Sequence, residues 1–230
     1  QLPSLNTTSI KAITTCYQKR LETLQSVDDM VEGVVNILKK TGQLDNTVII
    51  FTSDNGWLQG EHRIPFGKEF AYEPSIQVPL VIRGPGILKG KNVTTLVGNI
   101  DLAPTIVEIS KATPHRTMDG VSLVPAFSGQ SLPQRSGIEI ECKDLGIGKV
   151  DAEGNMPSEN GLASLNFSAI RTSRYTYVLY SNGEEELYDL QLDPYALRNA
   201  ANSTLYVTTK KNLNAKLQTL ESCSGSSCLK

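Results

Sequence analysis

Two neighbouring oxygen donors and one lysine are the residues here best suited to chemistry. Asp54 and Asn55 directly follow an apolar, β-branched run, Val48-Ile49-Ile50-Phe51-Thr52. A carboxylate beside an amide oxygen suits a hard divalent cation such as Ca²⁺ or Mg²⁺. Lys68 comes after a loop containing glycine and proline, and an ammonium beside a bound cation can hold an anion. Asp-Asn-Gly is also ordinary turn chemistry, because Asn and Gly tolerate positive φ. The preceding run predicts a strand buried on both faces. A parallel strand there would place Asp54 and Asn55 at its carboxyl end, where open α/β sheets bind ligands.

The longer pattern decides against a plain turn. Thr52-Ser53-Asp54-Asn55-Gly56 is followed by Gly60-Glu61-His62, by Lys68, and by Tyr72-Glu73-Pro74-Ser75-Ile76-Gln77-Val78-Pro79-Leu80-Val81-Ile82-Arg83-Gly84-Pro85-Gly86. This succession resembles the sulfatase family almost without gaps. Three later segments extend the resemblance: residues 97–106, residues 118–123, and Leu187-Tyr188-Asp189-Leu190 with Asp193-Pro194 and Asn199. The Asp-Asn-Gly variant and the Cys-Ser-Gly-Ser-Ser-Cys close are similar to the arylsulfatase and glucosamine-6-sulfatase branch.

The resemblance implies an alkaline-phosphatase-like α/β fold and hydrolysis of sulfate esters. Asp54 and Asn55 would bind Ca²⁺ or another divalent cation, Lys68 would contact the sulfate group, and His62 would lie near the site as a second catalytic candidate. The family's nucleophile is a formylglycine made from a Cys/Ser-x-Pro-Ser-Arg motif. Ser131-Leu132-Pro133-Gln134-Arg135 fits a looser string. It has Gln134 where the family has Ser, lacks the Leu-x-Gly continuation, and follows the metal pair instead of preceding it. It reads as a chance match in an interdomain loop. Asp28-Asp29 lies within a helical stretch and does not correspond to the family's paired aspartates. The resemblance therefore matches the C-terminal part of a sulfatase, with the nucleophile expected in an amino-terminal half that would be this chain's partner. Turnover by this chain alone is not expected.

Composition bounds the alternatives. Of 230 residues, 39% are hydrophobic and 20% charged, with a formal net charge of -2, as in a globular protein. That charge offers nothing to nucleic acid or an acidic membrane surface, and no stretch has the length of a membrane span. Gln1-Leu2-Pro3-Ser4 does not open a signal peptide. Cys223 and Cys228 bracket a short polar turn suited to a disulfide, while Cys16 and Cys142 could pair, stay free or bridge elsewhere. With Asn-x-Ser/Thr sequons at Asn6, Asn92, Asn166 and Asn202, they point to a secreted or lysosomal glycoprotein.

Elements to position these residues can be read in order. Residues 1–11 read as a connecting segment. Tyr17, Leu21, Leu24, Val27, Val31, Val34 and Leu38 predict a helix over 15–40 with one apolar stripe, closed by Gly42. The strand at Val48 and a second apolar run over 78–82 continue an α/β alternation, Pro79 marking the second as edge or irregular. Asp101, before Pro104, reads as a helix cap, Asp119 as structural, and His115 as solvent-facing. Small polar residues and Pro133 over 128–134 suggest two domains: 1–130, the C-terminal portion of the sulfatase α/β domain, and 131–230, a small α+β subdomain. In the latter, strands are expected at 137–141, 168–171, 175–180 and 186–190, with a two-residue Asn182-Gly183 hairpin, a mobile loop over 143–164 and a helix over 205–220.

Two rival readings remain beside a sulfatase. A phosphatase or phosphodiesterase of the same superfamily would normally carry His where this chain has Asn55, because imidazole suits zinc. A non-catalytic, truncated sulfatase-like binding module would have to live with exposed apolar faces.

Overall fold

The computed structural model describes residues 3–143 and 166–229. The loop expected over 143–164 lies outside them, save Lys143. The chain forms two compact units, residues 1–68 with 73–89, and residues 69–72 with 90–230.

The first unit opens with α1 (Thr7–Lys40). Asn6 caps it by accepting from the Ser9 backbone N–H at 2.8 Å. The helix therefore starts within the segment expected to be a connector; its Ser and Thr density hid a capped first turn. Its end matches expectation, with Lys39 and Lys40 in the last turn and Gly42 left-handed at φ 68°. The periodic stripe exists but packs on little. Ile13, at the helix's beginning, is buried, whereas Leu24 and Val34 of the stripe are 54% and 49% exposed.

β1 (Ile49–Thr52) pairs antiparallel with β2 (Leu80–Arg83), Phe51 opposite Val81. Between them lies the single turn α2 (Glu73–Ile76). β1 is thus neither parallel to β2 nor buried on both faces, as its sequence had suggested. Phe51 is 41% and Val81 60% exposed, because a two-stranded ribbon has no second layer to cover it.

In the second unit α3 (Leu102–Ser110) and α4 (Val124–Phe127) precede a four-stranded antiparallel sheet in the order β3-β4-β5-β6: β3 (Ile138–Cys142), β4 (Phe167–Arg171), β5 (Tyr175–Tyr180) and β6 (Glu185–Asp189). All four strands fall where expected. Their side chains alternate across the pleat. Ile170, Tyr177 and Leu187 stand in one cross-strand row and pack with Leu213, Leu217 and Leu220 of α5 (Val207–Glu221). Burying each large apolar side chain contributes about 1.5–3 kcal/mol. Ala169, Val178 and Glu186 form the row facing the other way, joined by Phe167 and by Ala71 from the short segment 69–72.

The β5–β6 turn differs from the expected two-residue hairpin. Gly183 N–H donates to Tyr180 O and Tyr180 N–H to Glu184 O, leaving a three-residue loop with left-handed Gly183 (φ 85°). Asn182 keeps negative φ, so a two-residue turn with positive φ at both centres is not formed.

The boundary expected between residues 130 and 131 falls inside the second unit. Asp101 and Arg135 explain why. Their side chains are 0% and 2% exposed and pair at 2.7 Å, tying the 90–130 stretch to the chain beyond residue 131. Asp101 also accepts from the Gly98 and Val121 N–H groups. It is structural, as expected, but its carboxylate turns away from the first turn of α3 instead of capping it. Asp119 accepts from Gly225 N–H at 2.7 Å, beside the Cys223–Cys228 disulfide.

Candidate metal and sulfate site

β1 delivers the chain to Ser53, whose hydroxyl lies 2.9 Å from the Asn55 carbonyl and 3.2 Å from Asp54 Oδ1. Asp54 is exposed. Its carboxyl is held below the usual range, first by the Asn55 backbone N–H, with smaller help from the Ser53 hydroxyl and the Lys68 charge against partial burial. Asn55 Nδ2 donates to Gly56 O at 2.8 Å, which directs its donor end into the backbone. An ionised carboxylate and an amide oxygen therefore sit side by side in a constrained bend.

That bend is locked from below. Gly56 N–H donates to Ser75 O and Trp57 N–H to Pro74 O, both at 2.7 Å. The approach is so close that a Cβ on Gly56 would fall 2.1 Å from Pro74 O, so residue 56 must lack a side chain. Ser75, itself buried, donates its hydroxyl to Lys68 O. The loop after β1, the 73–76 turn and Lys68 thus share one hydrogen-bonded frame. Arg20 of α1 stacks over Trp57 with its guanidinium carbon 5.3 Å from the ring.

Between Trp57 and Lys68 the chain makes a closed excursion. Leu58 N–H donates to Gly67 O at 2.7 Å and Gly60 N–H to Ile64 O at 2.9 Å. Leu58 and Ile64 are buried anchors. His62 (φ 54°) and Arg63 (φ 63°) are both left-handed, an uncommon state for residues with a Cβ.

Asp54, Asn55 and Lys68 are therefore brought into one neighbourhood. His62 lies on the bend of the excursion. Ser53, Gly56 and Ser75 were not singled out from sequence. Gly56 carried a usable signal, a glycine directly after Asp54-Asn55 where backbone approaches backbone; the Ser75 contact lies further along the chain and carried none.

The donors fit a hard cation in kind. Ca²⁺ takes six to eight oxygens, and among the described residues no group of three or more His, Cys, Asp or Glu could hold a metal. Asp54 and Asn55 can form one side of such a site, with further oxygens needed from outside it.

Solved structures define the class first. A protein solved in complex with its substrate D-glucosamine-2-N,6-O-disulfate matches 85% of this chain with TM-score 0.74 and 29% identity, over 38% of its own length. A phosphonate monoester hydrolase of Agrobacterium radiobacter matches 85% with TM-score 0.70 and 31% identity, over 39% of its length. The fold is the C-terminal portion of the alkaline-phosphatase-like architecture. Within that class, the chain's sequence matches the sulfatase family. Residues 6–112 match the Sulfatase family model, and human N-acetylglucosamine-6-sulfatase is 35% identical over 97% of the chain. The chain spans 44% of that relative's length.

Proposed function

We propose that this chain is the C-terminal part of a sulfuric ester hydrolase acting on aryl or sugar sulfates. The observation that carries this reading is the locked bend that joins ionised Asp54, Asn55 and Lys68 in one frame. Asp54 and Asn55 would hold Ca²⁺ or a similar divalent cation, Lys68 would hold the sulfate group, and His62 would line the approach. When bound, the cation draws charge from the sulfuryl oxygens, and a formylglycine on a preceding segment supplies the nucleophile. This chain's residues bind and orient; the remaining ligands and the nucleophile come from the amino-terminal half.

A secreted or lysosomal setting is supported by the Cys223–Cys228 disulfide and by the exposure of all four sequon asparagines, Asn6, Asn92, Asn166 and Asn202. No helix among the described residues is long and apolar enough to cross a membrane.

The phosphonate monoester hydrolase likeness favours a second reading, a metal-dependent phosphatase or phosphodiesterase. Asn55 argues against a two-zinc version, since an amide oxygen is a poor zinc ligand beside imidazole. Metal analysis of the full-length protein separates them. Calcium with turnover of 4-nitrophenyl sulfate supports the sulfatase, and zinc with preference for a phosphate diester overturns it. In the full-length protein Asp54→Ala should weaken calcium binding at least about 100-fold, by roughly 3 kcal/mol of lost charge and geometry. Unchanged calcium affinity by calorimetry removes Asp54 from the site.

A further inference from the structure

The excursion from Trp57 to Gly67 concentrates two kinds of cost in one short stretch. Gly60 (φ 107°), His62 (φ 54°) and Arg63 (φ 63°) all take left-handed backbone. Glycine does so freely, whereas a residue with a Cβ is strained there. Trp57 Nε1 and Gln59 Oε1 are buried with no hydrogen-bond partner among the described residues, which is the second cost. Locally unfavourable choices of this kind gather where function retains them.

Strained backbone persists only where its surroundings over-determine it, and the bend is closed several times over. Arg63 N–H donates to Gly60 O and Ile64 N–H to Glu61 O, both at 3.0 Å. The Glu61 carboxylate turns back to accept from Gln59 N–H. Gly60 lies against Leu5 and Ile13, since a Cβ placed on it would sit 3.6 Å from a methyl group of each. Arg63 itself is exposed. A fixed backbone therefore carries a cation out to solvent.

The excursion also grows from the rim of the candidate site. Leu58, its closing residue, stands three positions after Asn55, and Gly67, which Leu58 N–H meets, directly precedes Lys68. Arg63 and Lys68 are five positions apart, at most about 18 Å of extended chain and less in a chain that folds back on itself. A guanidinium holds a carboxylate or sulfate by two parallel hydrogen bonds.

We propose that Arg63 is a specificity-determining residue that binds a second oxyanion, a carboxylate or sulfate on the alcohol part of the substrate. This rests on the reading of Lys68 as the group that holds the ester sulfate. The substrate class is then a sulfate ester carrying another negative charge, in preference to an otherwise neutral one.

Two substrates that differ by one charge test this on the full-length protein: 4-carboxyphenyl sulfate and its methyl ester. Arg63→Ala should lose about tenfold more kcat/KM on the carboxylate than on the ester, the worth of one exposed charge-assisted contact. Arg63→Lys keeps the charge without the fork, and its differential loss should be about threefold. Arg63→Gly should lose the preference as Arg63→Ala does, yet unfold at a higher temperature than Arg63→Ala, because glycine relieves the left-handed backbone. A second pair, hydroquinone disulfate against 4-methoxyphenyl sulfate, puts the same question to a sulfate, and the larger loss names the preferred oxyanion. Equal losses within both pairs overturn the proposal. So does glycine no more stable than alanine, which removes the strain. Lys68→Ala tests the underlying reading separately and should lower turnover of all four substrates. Parent-like turnover by that variant removes Lys68 from the site, and the inference with it.

Discussion

Gly56→Ala is the sharpest probe of how the bend is held. The added Cβ would lie 2.1 Å from Pro74 O, 2.9 Å from Pro74 C and 3.2 Å from Ser75 C. Ordinary carbon–oxygen contacts begin at about 3.3 Å, so the two backbone segments must part by roughly 1.2 Å. The Gly56–Ser75 and Trp57–Pro74 hydrogen bonds, now 2.7 Å, would stretch to about 3.9 Å, beyond bonding range. Two net hydrogen bonds and some residual overlap sum to about 2–4 kcal/mol of local destabilisation. The displaced segment is the one carrying Asp54 and Asn55, and a shift near 1 Å costs about 100-fold in a positioned reaction. Calcium titration and kcat/KM on the full-length protein should both fall. Gly33→Ala is the control. It lies inside α1 with nothing within 4 Å of its added Cβ, and should stabilise by about 0.5–1 kcal/mol. If Gly56→Ala keeps turnover within threefold and calcium affinity unchanged, the close approach does not position the ligands.

Each of the two units supplies one more expected outcome. Glu139 has its carboxyl pushed up to about 7, first by burial and then by Glu141 and Glu221. A folded pKa above the unfolded value means stability is full below pH about 4.5 and lost as pH rises through about 7; Glu139→Gln should therefore gain about 1 kcal/mol at pH 8, after allowance for partial exposure, and nothing at pH 4.5, with equal gains at both pH values in urea melts refuting the assignment. On α1, Leu24→Lys with Val34→Lys should raise the solubility of this chain expressed alone while sharply lowering the yield of full-length protein, and a full-length yield equal to the parent's would show the stripe to be a true outer surface.

Legibility in the sequence tracked locality. The four strands of the second unit were readable because each carries its own strand-like pattern, in Ile138–Cys142 and again from Phe167 through Asp189. The family motif pointed to Asp54, Asn55 and Lys68 as candidates, all within one short stretch. Contacts between distant residues escaped. Arg135 pairs with Asp101 across 34 positions, both within the second unit. Tyr72 reaches Glu186 across 114 positions. Neither an arginine in a Pro-containing loop nor a glutamate alternating along a strand announces its partner. The early start of α1 escaped for another reason: Asn6 acts through its side chain, which propensity along Thr7-Thr8-Ser9 does not register.

Two apolar patterns in the first unit have a common physical origin. The run of β1 was read as buried on both faces and α1 as carrying one apolar stripe, yet Phe51 of the run and Leu24 and Val34 of the stripe are exposed. The sheet of the second unit, covered by α5 on one face and in contact with Ala71 on the other, shows what such patterns become when a second layer is present. A hydrophobic pattern records the surroundings in which a segment is stable, and an amphipathic stripe over most of a 34-residue helix gains nothing from facing water. The same would apply to the proposed ligands: were Asp54 and Asn55 to hold calcium, they would supply two oxygens where the ion takes at least six. Under the proposed function, the preceding segment would supply the remaining oxygens and cover the apolar side chains of α1 and the β1–β2 ribbon. The lysine substitutions on α1 test that single requirement from the side of packing, and Asp54→Ala tests it from the side of the metal.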